Sequence, residues 1–190
     1  GDGRYTFKMP RSKVTIEASF VEIDHQDTCP AAGFRDVDED AWYHEAVDYA
    51  LDNGLMSGVS DREFAPGSTL TRAMVAQMLY SLEGKPAAGR ADFADVAEGA
   101  WYADAISWAA GEGIVSGYGD TFGPNDPVTG YQALAMILRA LGYDKNGEFT
   151  GASWQVQTAA VGENRGITKN ISAGTLGTPA TREVVAEILF

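Results

Sequence analysis

The chain has 190 residues, 45% hydrophobic and 22% charged, an ordinary balance for a globular protein long enough to bury a core. Its 27 acidic residues against 14 basic ones give a net charge of −13, which argues against nucleic acid or anionic lipid as a partner, since both need a basic footprint. No apolar run approaches the roughly 18 residues of a membrane span, no secretory signal is evident, and the single cysteine, Cys29, excludes an intrachain disulfide.

Residues 1–23 alternate twice, Tyr5, Phe7 and Met9, then Val14, Ile16, Ala18 and Phe20, around the turn Pro10-Arg11-Ser12-Lys13. That pattern predicts a β-hairpin. A lone hairpin is marginal in water, so the segment reads as the tail of a preceding β-domain fused upstream. Residues 24–33 are polar with Pro30 and Gly33 and read as a linker, with Cys29 an incidental thiol in it.

From Phe34 onward the chain repeats itself. A helix is predicted near Ala41–Asn53, with Trp42, Ala46, Val47, Ala50 and Leu51 on its apolar side and Gly54 at its end. After a tight loop and the turn cluster Phe64-Ala65-Pro66-Gly67, Thr71 is a natural N-cap for a second helix carrying Val75, Met78, Leu79 and Leu82. Phe34-x-Asp36-Val37 recurs as Phe93-x-Asp95-Val96, an offset of 59 that also carries Trp42 to Trp101, Gly54 to Gly113 and Gly58 to Gly117. Phe122-Gly-Pro124 then leads to Thr129, where Gln132 completes a capping box, and to Ala133, Met136, Ile137 and Ala140. A third, fainter copy predicts a helix from Trp154 to Asn164 with Val156, Ala159, Ala160 and Val161 on its apolar side. It ends in a short helix after Thr181 with Val185, Ile188 and Leu189. The three units read as 34–90, 91–145 and 146–190, the last divergent and offering the least apolar area. Self-similarity at this period means stacked supersecondary units that bury one another's faces.

In combination, Phe-x-Asp-Val, Trp-Tyr, Gly-Leu/Ile-x-x-Gly, Phe-x-Pro and the Thr-Arg helix start resemble the S-layer homology (SLH) family of Gram-positive surface anchors. The resemblance implies a mainly α fold, three helical repeats in a pseudo-three-fold bundle, with grooves between them. It implies an extracellular, cell-wall location and a partner, secondary cell-wall polysaccharide ending in a pyruvylated amino sugar, with no cofactor. Carried onto this chain, it points to Arg72 and Arg182 for the ligand carboxylate, helped by free helix N-termini. Trp42, Trp101 and Trp154 become groove walls, and the turns at Gly58 and Gly117 backbone donors. The middle copy departs from the pattern, having Gly130 where the arginine belongs, so at most two grooves are expected to be competent. Other roles stay open for the same residues. The tryptophans also suit a core, Asp36 and Asp95 suit a cap or turn, and Arg72 suits an ion pair with a nearby carboxylate.

No nucleophile–base set, P-loop or metal-binding spacing stands out, so no catalytic or metal residue is assigned. The other reading is a protein–protein or self-assembly module of a surface layer or scaffold, with little glycan binding.

Overall fold

A computed structural model describes residues 29–190; the expected hairpin over 1–23 and the linker before Cys29 lie outside the described residues. Within them the protein is mainly α. A 3-10 turn, Pro30–Gly33, precedes α1 (His44–Asp52), α2 (Arg72–Leu82), α3 (Ala103–Gly111), α4 (Gly130–Ala140), α5 (Trp154–Asn164), α6 (Ala173–Leu176) and α7 (Arg182–Leu189).

Local chemistry sets most of these boundaries. Thr71 Oγ1 accepts from Met74 N–H, Thr129 and Gln132 form the reciprocal capping box, and Ser172 caps α6. Gly54, Gly113 and Gly166 each follow the first helix of a unit in a left-handed conformation, φ +63°, +72° and +76°. Two expectations are corrected. The first helix begins at His44 rather than Ala41, because Ala41 N–H and His44 N–H close turns onto Asp38 O and Ala41 O, leaving Trp42 ahead of the helix. In α5 the buried residues are Thr158 and Gly162, whereas Val156 is 72% exposed. Thr158 satisfies its hydroxyl by donating to Trp154 O at 2.7 Å, and the missing side chain at Gly162 leaves room for Leu134.

The three units meet at an axis built from backbone. Leu70 N–H donates to Ala180 O (2.9 Å), Ala180 N–H to Val128 O (2.8 Å), and Val128 N–H to Leu70 O (3.2 Å), closing a ring with one peptide from each unit. A second tier runs in the opposite cyclic sense: Arg72 N–H to Asp126 O, Gly130 N–H to Thr178 O, and Arg182 N–H to Ser68 O. Leu70, Val128 and Ala180 are all at most 1% exposed, so these bonds form out of water, where leaving them unmade would be costly. This is the pseudo-three-fold bundle expected from the repeats.

Packing runs across repeat boundaries. The first helix of each unit lies on the second helix of its neighbour, α3 on α2, α5 on α4, and α1 on α7. Tyr80 meets Trp108 at 5.7 Å between centroids and Tyr49 meets Phe190 at the same distance. One continuous core therefore joins all three units.

Candidate functional site

The arginines of the helix starts reach out of their own units. Arg72, first residue of α2, sends Nε to Phe122 O (3.0 Å) and Nη2 to Ser116 O (2.8 Å) in the second unit. Its guanidinium lies 4.4 Å from the Phe122 ring centre and 4.8 Å from that of Tyr118. Arg182 repeats this from the third unit to the first, with Nε to Phe64 O (2.8 Å), Nη2 to Ser57 O (2.5 Å) and the guanidinium 4.3 Å over the Phe64 ring. Burial pushes both guanidinium groups below their ordinary value, yet both stay cationic at neutral pH. Neither arginine forms an ion pair with a carboxylate among the described residues, so the alternative role considered for Arg72 is not realised. Two of five N–H groups on each are held by carbonyls, which fixes the fork in place.

The third position of this set is Gly130. An added Cβ there would stand 2.7 Å from Leu176 Cα; the shortened loop of the third unit fills the space an arginine would need.

Of the clefts between units, two occupy equivalent places. One, of about 240 Å³, is lined by Arg72, Tyr118, Gln132, Arg139, Phe149 and Trp154. The other, of about 510 Å³, is lined by Trp42, Asn170, Ser172, Thr181 and Glu183. The three-fold relation makes it the counterpart of the first, with Gly130 in the arginine's place. There burial holds the Glu183 carboxyl above its ordinary value. The first cleft thus presents guanidinium groups and the second a carboxyl.

Trp42 is 48% and Trp101 61% exposed, so neither is a core residue. Each stacks edge-on against the following tyrosine, at 5.4 and 5.1 Å. Trp154 is half-buried and meets Tyr131 at 6.5 Å. Gly58 and Gly117 have a steric role: a Cβ at either would collide with the ring of Phe34 or Phe93 and with the carbonyl of Ser60 or Thr121. Asp36 accepts from Phe64 N–H (2.9 Å) and Ala65 N–H (2.7 Å), and Asp95 from Phe122 N–H and Gly123 N–H, latching each unit's first turn to its loop. Burial alone would raise these carboxyls, but the paired N–H bonds outweigh it and hold both below their ordinary value.

One expectation fails for a physical reason. At α2 and α7 the first two helix N–H groups are already bonded and are not free for an anion. Arg72 N–H and Ala73 N–H bond Asp126 O and Pro124 O, Arg182 N–H and Glu183 N–H bond Ser68 O and Pro66 O, and α4 uses its own capping box. The cationic N–H donors left at these helix starts are those of the guanidinium groups. Sequence reading also missed Tyr118, Gln132 and Arg139. Gln132 and Arg139 lie seven residues apart on α4, two turns along one face, which was the available signal.

Comparison with known proteins follows the same repeats. Residues 33–74 and 92–134 match the S-layer homology domain. The chain is 33% identical over 108 residues to exoglucanase XynX of Acetivibrio thermocellus, covering 56% of this chain and 10% of that protein. It is 31% identical over 150 residues to the surface-layer 125 kDa protein of Lysinibacillus sphaericus, covering 75% and 12%. With the middle cell wall protein of Brevibacillus brevis it shares 36% over 97 residues, covering 48% and 9%. The chain spans about a tenth of the length of these relatives, and the part shared with the enzymes is not catalytic.

Proposed function

The chain belongs to the S-layer homology family, whose place is the cell surface, and from that premise we propose that it is a non-covalent anchor holding an acidic cell-wall polysaccharide in its inter-repeat clefts. The ligand's ketal-linked carboxylate, on a pyruvylated amino sugar, meets Arg72 in one cleft and Arg182 in the equivalent place. Sugar faces rest on Trp154 and, by the three-fold relation, Trp101, with the Gly58 and Gly117 turns at the edges. The observation that carries this reading is the fixed guanidinium. Two carbonyls orient Arg72 in a cleft that also holds Tyr118, Arg139 and Trp154, so a carboxylate gains a charge-assisted fork at little ordering cost.

The net charge of −13 does not forbid this. At physiological salt charges are screened beyond about 8 Å, so the global field fades while a contact inside the cleft persists. The Trp42 cleft, with Glu183 and no arginine, rejects the anion. Two weak sites on one polymer hold it by avidity.

The test is co-sedimentation with purified cell-wall polysaccharide before and after chemical removal of pyruvate, compared with bare peptidoglycan. Binding is expected only to the pyruvylated polymer, and is expected to fall sharply in Trp154→Ala and in Arg72→Lys/Arg182→Lys, each checked for a native circular-dichroism spectrum. Undiminished binding by the folded double variant would remove the assignment. Binding to copies of the chain, with none to glycan, would favour the self-assembly reading instead.

A further inference from the structure

Away from the axis, three metal-ligating side chains from two separate segments meet beside α1. Cys29 immediately precedes the 3-10 turn, while His44 and Asp48 are one turn apart on α1 and share a face. Cys29 Sγ lies 3.1 Å from His44 Nε2 and 3.3 Å from Asp48 Oδ1, and His44 Nε2 lies 3.7 Å from Asp48 Oδ2. Ligand atoms 2.0–2.3 Å from a tetrahedral zinc stand roughly 3.3–3.6 Å from one another, so the triangle is already near the required size.

The surroundings prepare each ligand. His44 Nδ1 is 2.9 Å from Asp38 O. A carbonyl only accepts, so Nδ1 carries a hydrogen, and Nε2 is the ring nitrogen on the side of Cys29 and Asp48. Ala31 N–H donates to Asp48 Oδ1 at 2.7 Å and fixes that carboxylate. The other oxygen, Oδ2, is buried without a hydrogen-bond partner among the described residues, on a residue that is 8% exposed overall. Such an atom calls for a compensating charge.

We infer that Cys29, His44 and Asp48 form a binding site for a borderline-soft divalent cation of the zinc class, with a fourth position for water in the adjoining cleft of about 550 Å³. On binding, the thiol proton leaves to solvent as the metal–sulfur bond forms, and no electrons are transferred. A bound cation ties the segment entering the first unit to α1, the helix that packs on α7.

The probe is Co²⁺ added to the reduced, metal-stripped 190-residue chain, because a thiolate-to-cobalt charge-transfer band reports sulfur ligation directly. One cobalt per chain is expected, with a band that Zn²⁺ abolishes and about one proton released per metal. Cys29→Ser should eliminate the band, and Asp48→Asn should weaken cobalt binding by roughly tenfold or more, both with a native circular-dichroism spectrum. Absence of the band in the parent chain, or equal affinity in Cys29→Ser, would mean that acidic surface groups alone attract the cation, and would overturn the inference even if Asp48→Asn fails to fold.

Discussion

Gly130→Ala tests why the middle unit lacks its arginine. The added Cβ would stand 2.7 Å from Leu176 Cα and 3.0 Å from Leu176 O. Both are backbone atoms at the end of α6, so no rotamer change relieves the clash. Leu176 is 2% exposed and Gly130 N–H bonds Thr178 O at 3.1 Å, so the third unit's loop must move off the axis. Overpacking of this kind costs about 1–3 kcal/mol. Alanine recovers up to about 1 kcal/mol of helix propensity, less at a helix start, which leaves a net loss of roughly 1–2 kcal/mol. With a urea slope of about 2 kcal/mol/M the unfolding midpoint falls by roughly 0.5–1 M, and Tm falls by about 2–8 °C. Gly130→Arg is expected to lose at least as much, although it restores the residue of the other copies. A Gly130→Ala midpoint at or above that of the parent would show that close approach is not what holds glycine there.

Arg182→Lys should lose about 1–2 kcal/mol, because one ammonium cannot serve Phe64 O and Ser57 O together while lying over the Phe64 ring; a thermal melt coincident with the parent's would contradict this. Asp36 and Asp95 have folded values held below the unfolded one. Their contribution is present above about pH 4 and drains away as pH falls through the depressed values. Acid titration followed by circular dichroism should therefore show a shallower loss in Asp36→Asn/Asp95→Asn than in the parent, and parallel curves would refute the latch. Glu183 is shifted the other way. Its ionised form weakens the fold as pH rises above about 4.3, so Glu183→Gln should gain stability at neutral pH but not in acid, and a gain equal at both would exclude burial as the cause.

Much of the fold was legible in the residues because it is decided locally. Threonine caps, the Gln132 capping box and the left-handed glycines act over one helical turn, and period reasoning found α2, α4, α5 and α7 from them. What was not legible depends on contacts between distant segments. Helical periodicity names an apolar face but not its partner, so the packing of each first helix on a neighbouring unit was invisible, as was the rotation that buries Thr158 and exposes Val156. The helix-start motif marks the arginines, but their forks rest on loop carbonyls of another unit, a contact that no local pattern encodes. Cys29 read as incidental because fifteen residues of chain separate it from His44. The His44–Asp48 spacing on a mostly apolar face was the clue.

The axis also limits how many copies such an array can hold. Each of Leu70, Val128 and Ala180 gives one hydrogen and receives one, so the junction's bonding capacity is fully used at three members. A fourth copy appended to the gene would find no vacant peptide there; it would have to displace an existing member or begin a separate assembly. A longer array keeping this junction is expected to add copies as a further closed triplet, instead of lengthening one repeat at a time like an open solenoid.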